Sequence, residues 1–146
     1  MEGPFKFWKV QDKRRLLLAL MEELAGDAHV SFEGDLQQLT LTRIPGASEE
    51  PTATLKRNTL RPKQDFIIVP LQPSMAKSII AAIGGTVPNA IIHIQIEKDG
   101  LLQFGAYDNF HPKCIYFGSA VNEVVIESLV YQGIMRPYTE RRPRRT

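Results

Sequence analysis

The sequence predicts an α+β fold in a single domain: an antiparallel sheet of hairpins with about three helices, in the order α-ββ(ββ)-α-βββ-α. Three observations carry this. Apolar residues recur at helical spacing in three separate stretches. Between them, segments alternate apolar and polar with the period of two expected of half-buried strands. Short turn dipeptides join several of these segments, and a tight turn imposes antiparallel pairing because parallel neighbours need a long crossover.

The elements follow in chain order. Leu17, Leu20, Met21 and Leu24 line one face of a helix over 12–25, and Gly26 stands where a cap glycine belongs. Lys13, Arg14 and Arg15 near its start and Glu22 and Glu23 near its end oppose the helix macrodipole, so packing must outweigh them. Ala28, Val30 and Phe32 then alternate with His29, Ser31 and Glu33. Gly34-Asp35 reads as a two-residue turn into a returning strand through Leu39 and Leu41. Residues 45–52 read as an exposed loop, 53–57 as a short strand and 66–71 as an apolar strand. Ser74 is placed as N-cap of a second helix with the stripe Ala76, Ile79, Ile80 and Ile83, ended by Gly84-Gly85. Ile92, Ile94 and Ile96 alternate with His93, Gln95 and Glu97 in the clearest strand, and Asp99-Gly100 turns it into 101–107. A loop over 108–113 leads to a strand at 114–117. The last helix spans about 120–132, with Val121, Val124, Val125 and Leu129 facing inward and Gly133 as its cap. Glu33 and Glu97, 64 positions apart, each precede a turn after a helix and strand. This weak echo suggests an internal pseudo-twofold.

Composition narrows the class. A chain of 146 residues suits one core, and 43% hydrophobic with 23% charged residues excludes a wholly disordered chain. The single cysteine, Cys114, allows no intrachain disulfide, which favours a reducing cytoplasm. The longest apolar run, Leu16–Met21, falls far short of the roughly 18–20 residues that cross a bilayer. The start lacks a basic stretch followed by an apolar one, so no secretory signal is expected. The formal charge of +2 divides unevenly. Residues 1–135, read as the domain, hold 13 basic and 15 acidic side chains; residues 136–146, read as an Arg/Pro-rich tail, hold five arginines and one acid.

Reactive side chains are densest in 107–114. A cysteine nucleophile needs a base and an orienting group, roles open to Cys114, His111 and Asp108. Catalytic Cys and His usually come from distant parts of a chain, and a lone buried Cys behaves as a small hydrophobe, so a structured turn is the favoured reading. His29, His93 and His111 would have to converge to hold a metal ion, since zinc needs three or four ligands. No metal and no cofactor are expected. The pairs Glu33/Asp35 and Glu97/Asp99 sit at turns, where acids serve solubility and turn bonding. No phosphate loop, dinucleotide fingerprint, nucleophile elbow or zinc-protease motif occurs.

Two basic sets are candidates for phosphate contacts: Lys56, Arg57, Arg61 and Lys63, and the tail residues Arg136, Arg141, Arg142, Arg144 and Arg145. Phe5, Phe7 and Trp8, with Tyr107, Asn109 and Phe110, are candidates for contact with another protein. The expected function is therefore that of a small, non-enzymatic, macromolecule-binding protein acting through protein–protein contact, with homo-oligomers left open and no membrane association. Size, acidic body and lack of a catalytic signature place it beside small bacterial immunity proteins, antitoxins and inhibitors; this is an analogy and not a motif match. The alternatives are nucleic-acid binding through the tail and 56–63, and a Cys/His enzyme using 107–114.

Overall fold

In a computed structural model, which describes residues 7–139, the chain forms a five-stranded antiparallel sheet and a separate two-stranded ribbon. The elements are β1 (Phe7–Val10), α1 (Lys13–Leu24), β2 (Ala28–Gly34), β3 (Asp65–Leu71), α2 (Ala76–Ala82), β4 (Ile91–Lys98), β5 (Leu101–Ala106), β6 (Ile115–Phe117), α3 (Glu123–Tyr131) and β7 (Met135–Tyr138). The large sheet has the order β3-β2-β4-β5-β6, and β1 pairs with β7. The α+β class and the three helices are as the sequence predicts.

The period of two sorts the strand residues by face. Val30, Phe32, Val69, Ile94, Ile96 and Phe104 join the main core with Leu17, Leu20, Leu24, Ile79 and Ile83 of the helical layer. The helix α1 is capped at its start by Asp12, whose side chain accepts from the Arg15 N–H. Its last turn holds no basic residue, yet Lys98 of β4 places its Nζ at 2.7–3.2 Å from the carbonyls of Leu24, Ala25 and Gly26. A cation from a neighbouring strand thus satisfies carbonyls that the helix leaves without partners.

The pseudo-twofold is visible in the topology. The units α1-β2-β3 and α2-β4-β5 each run helix, strand, strand, and β2 lies antiparallel to β4 at the centre. The register sets His29 opposite Glu97, Ser31 opposite Gln95 and Glu33 opposite His93. A twofold through the Ser31–Gln95 pair thus makes His29 equivalent to His93 and Glu33 to Glu97, each 64 positions apart.

Several local expectations are corrected. Gly34-Asp35 does not turn into a hairpin: β2 pairs with β3 and β4, while 39–42 leads into a 3-10 turn at Leu41–Arg43. Leu41 enters the main core and Leu39 packs against it, instead of lining a strand. Residues 53–57 form no strand. Ser74 is not an N-cap; it has φ +75°, and α2 starts at Ala76 without a side-chain cap. Val124 is 73% exposed and does not face inward. The ribbon was not foreseen: Arg136, Pro137 and Tyr138 are strand residues opposite Lys9, Trp8 and Phe7. Among the described residues, no helix is long and apolar enough to cross a membrane.

Gly34 marks the end of the β2–β4 ladder. A Cβ there would lie 2.1 Å from the Ala90 carbonyl oxygen, which itself accepts from the Asp35 N–H. Gly34→Ala should therefore destabilise the fold by about 2–3 kcal/mol through clash and backbone strain. The check is urea denaturation, where the midpoint should fall with the slope unchanged; a wild-type midpoint would refute the assignment.

Candidate functional site

The sheet face away from α1 and α2 is polar along its centre. Ser31, Glu33, Gln95 and Glu97 are all buried, as is Gln103 of β5. Burying such groups is costly unless each finds a partner. For Glu33 and Gln95, partners come from residues 48–64, a strap lying across this face. Glu33, only 1% exposed, accepts from the backbone N–H groups of Asn58 (2.8 Å) and Thr59 (3.1 Å). Gln95 donates to the Ser31 hydroxyl and the Lys56 carbonyl, and accepts from the Tyr107 hydroxyl at 3.2 Å. Among the described residues, no buried side-chain polar atom lacks a partner.

The strap also brings its own apolar anchor. Leu55 packs with Phe66 and Ile68 in a second small core, against which Leu102 is partly buried. Gly105 has a specific part here: a Cβ would fall 2.6 Å from the Tyr107 ring, so its absence lets the ring lie over β5 and reach Gln95. Burial pushes the Tyr107 phenol above its ordinary value, and Tyr116 nearby adds to this.

Hydrogen-bond direction fixes the histidine roles. Asp108 N–H donates to His93 Nδ1, which leaves the ring proton on Nε2, 2.7 Å from the Thr59 hydroxyl. Nε2 therefore donates to Thr59 and does not withdraw its proton. His111 Nδ1 accepts from the Lys113 N–H and caps a 3-10 turn at Pro112–Cys114. His29 Nδ1 meets the Glu97 carboxylate at 2.5 Å, and Glu97 also accepts from the Gly100 N–H. The ladder places His29 and His93 four positions apart, roughly 13 Å. Among the described residues, no three His, Cys, Asp or Glu side chains are grouped to hold a metal ion.

The loop 107–114 is a locked turn. Asp108, Asn109 and Phe110 all have positive φ, between 55° and 62°. Asn109 Nδ2 donates to the carbonyls of Asn89 and Ile91, its N–H donates to Ile92, and Phe110 is buried under the Lys13 ammonium. Cys114 is partly buried and uses its backbone to bond Tyr107 and His111.

The remaining sequence candidates are dispersed. Trp8 is buried with its ring edge-on to Phe117, and Phe7 lies under the Lys113 ammonium. Arg57 is held by the Gln64 carbonyl and stacks on Phe66. Lys56, Arg61 and Lys63 are exposed on the strap, and Arg136 is exposed on β7. Phe5, Arg141, Arg142, Arg144 and Arg145 lie outside the described residues.

Two features escaped the sequence reading. One is the paired polar ladder, whose signal is His-x-Ser-x-Glu at 29–33 and His-x-Gln-x-Glu at 93–97. The other is the outer face of α3. Of its nine residues only Leu129 is buried, and Tyr131 is 93% exposed. A cavity of about 540 Å³ lies between α3 and the ribbon, lined by Trp8, Ile126, Val130, Tyr131 and Pro137, and by Glu123 and Glu127.

No family model, no curated protein and no solved structure matches the chain.

Glu33→Gln keeps the size of the side chain but replaces one accepting oxygen with a donor. It should cost about 1–3 kcal/mol and raise amide exchange at Asn58 and Thr59 first; unchanged protection at both would refute the anchoring role. Tyr107 predicts alkaline sensitivity. Its pKa is raised in the fold, so its stabilising contribution is complete below the ordinary value of 10 and is lost as pH rises through the raised value. Tyr107→Phe should remove that loss; denaturation midpoints measured at pH 9 and pH 11 check it, and an identical fall in both proteins would count against it.

Proposed function

We propose that this chain is a non-enzymatic protein-binding module whose docking surface is the groove between α3 and the β1–β7 ribbon. The observation that supports it is the apolar side of α3 toward the ribbon: Ile126 and Val130 are half-buried, Tyr131 is 93% exposed, and all three line the groove with Trp8 and Pro137. Contiguous exposed apolar surface rimmed by polar groups is characteristic of interaction sites.

The occupant is an amphipathic helix carrying Lys or Arg beside its apolar stripe. Glu123 and Glu127 stand one turn apart and line the same groove. Like charges at this spacing repel by a few tenths of a kcal/mol, and a cationic partner reverses that sign. An isologous dimer through this face would instead bring the same acids together. The bonding of His93 and His111 supports a binding role over a base-activated nucleophile. The biological setting consistent with this reading is a reducing cytoplasm, with the chain covering a partner's surface as an inhibitor or immunity protein does.

Trp8 is the only tryptophan and lines the groove, so its fluorescence reports occupancy. A synthetic Leu/Lys amphipathic helix should shift Trp8 emission, and the same helix with Glu for Lys should not. Tyr131→Ala and the double charge reversal Glu123→Lys, Glu127→Lys should each weaken binding about tenfold. Binding that ignores both changes, or a wild-type dimer in sedimentation that Tyr131→Glu dissociates, would overturn the proposal.

A further inference from the structure

Residues 140–146, which lie outside the described residues, read Glu-Arg-Arg-Pro-Arg-Arg-Thr: four arginines against one acid. They follow, after Thr139, on β7, which supplies Pro137 to the α3 groove. The groove is lined by two acids, Glu123 and Glu127, and by no Lys or Arg. Both acids are exposed, and among the described residues neither is in an ion pair. The cations of the ribbon, Lys9 and Arg136, do not relieve this. They stand opposite each other, one position on from the Trp8–Pro137 pair. Successive strand residues point to opposite faces, so with Trp8 and Pro137 in the groove, Lys9 and Arg136 face away from it.

The path of the chain delivers this segment to the two acids. The backbone reverses straight after α3: Gly133 has φ +75°, and the Ile134 N–H donates to the Leu129 carbonyl at 3.0 Å. β7 then runs back past α3, and Pro137 shares the cavity with Glu123 of its first turn and with Glu127. An extended chain advances at most about 3.6 Å per residue, so Arg141 reaches up to about 14 Å beyond Pro137 and Arg145 up to about 29 Å. The two glutamates are one helical turn apart, about 6 Å along the axis. Lining one cavity of about 540 Å³ with Pro137, they fall inside that reach.

We propose that the segment 141–145 folds back onto Glu123 and Glu127 and holds the acidic rim of the α3 groove as an internal competitor. Exposed ion pairs between separate molecules count for little. A tethered ligand, however, acts at an effective concentration of about a millimolar, so the same pairs are filled much of the time. A partner helix carrying Lys or Arg then has to displace the tail before it pairs with these acids. The tail sets a threshold: a partner must bring enough positive charge to outcompete the arginines, and weakly cationic helices are turned away. This regulation rests on the α3 groove being the docking surface, as proposed above; the contact between tail and acids does not.

The test compares the wild-type chain with a variant carrying Arg141→Gln, Arg142→Gln, Arg144→Gln and Arg145→Gln. Without any ligand, ¹⁵N shifts should differ at the amides of 123–127 and at the Trp8 indole N–H, and should match at Asn58 and Thr59 under the strap. In a Glu123→Gln, Glu127→Gln background the same four substitutions should leave 123–127 unmoved, because both sets of changes remove one interaction. The synthetic Leu/Lys helix should bind the neutralised-tail variant about fivefold more tightly than wild type, a difference that vanishes near about 0.5 M salt. Amides at 123–127 that ignore the tail, or that respond equally in the glutamine background, would overturn the proposal whatever the helix does. Equal helix affinity with and without the tail charges would overturn the competition. A helix that binds neither protein refutes the docking surface and the competition with it, and the contact then stands or falls on the amide shifts.

Discussion

A sheet has two faces, and the helical layer here covers one. The other face carries two glutamates and a glutamine on its central strands, out of water. Each such group is tolerable only with hydrogen-bond partners, and this requirement organises everything on that side. It explains why the connection from β2 to β3 runs over residues 35–64, well beyond the about 12–15 residues usual for a loop without regular structure. The connection is an inserted cover. Its backbone N–H groups at Asn58 and Thr59 are presented to Glu33, the Lys56 carbonyl to Gln95, and Leu55 fills the apolar gap beside them. The same cover, through Arg57 and Lys63, lines a cavity of about 390 Å³ beside the first residues of β3.

The two units of the pseudo-twofold meet this requirement unequally. Glu33 and Glu97 occupy equivalent places, yet Glu33 takes its partners from the long strap whereas Glu97 binds His29 and the hairpin turn at Gly100. The tight β4–β5 hairpin satisfies its acid locally, while the β2–β3 connection must reach across the sheet. Ser31 and Gln95 at the centre show the same division. The longer side chain spans to both Lys56 and Tyr107, and the shorter one accepts from its neighbour.

Elements whose cause is local were legible in the sequence. The stripe Leu17-Leu20-Met21-Leu24, the alternation over Ile92–Glu97 and the Asp99-Gly100 turn each depend on neighbours within a few residues. Features decided by distant partners were not. Gly34-Asp35 has turn chemistry, but its glycine is required by the approach of Ala90, and Leu39 and Leu41 find the core rather than a strand partner. Ser74 has cap chemistry, but its backbone enters the left-handed region instead. Val124 fits an inward stripe by spacing, yet it stays in solvent, 73% exposed. Of the candidate residues, the 107–114 cluster carries a local turn signal, since Asp108 and Asn109 are residues that tolerate the positive φ they have here. The basic and aromatic candidates give no comparable local signal, because which of them share a surface is a matter of tertiary placement.

The ribbon bears on the order in which the molecule assembles. Phe7 pairs with Tyr138 and Val10 with Met135, so β1 and β7 join across nearly the whole described chain. Contacts of such sequence separation carry the largest loop-closure entropy and form after the nearer pairings have shortened the effective loop. The α3 groove takes Trp8 from one strand of this ribbon and Pro137 from the other. With the ribbon unzipped, the walls at Trp8 and Pro137 are lost together. The groove therefore takes shape only when β1 and β7 have paired.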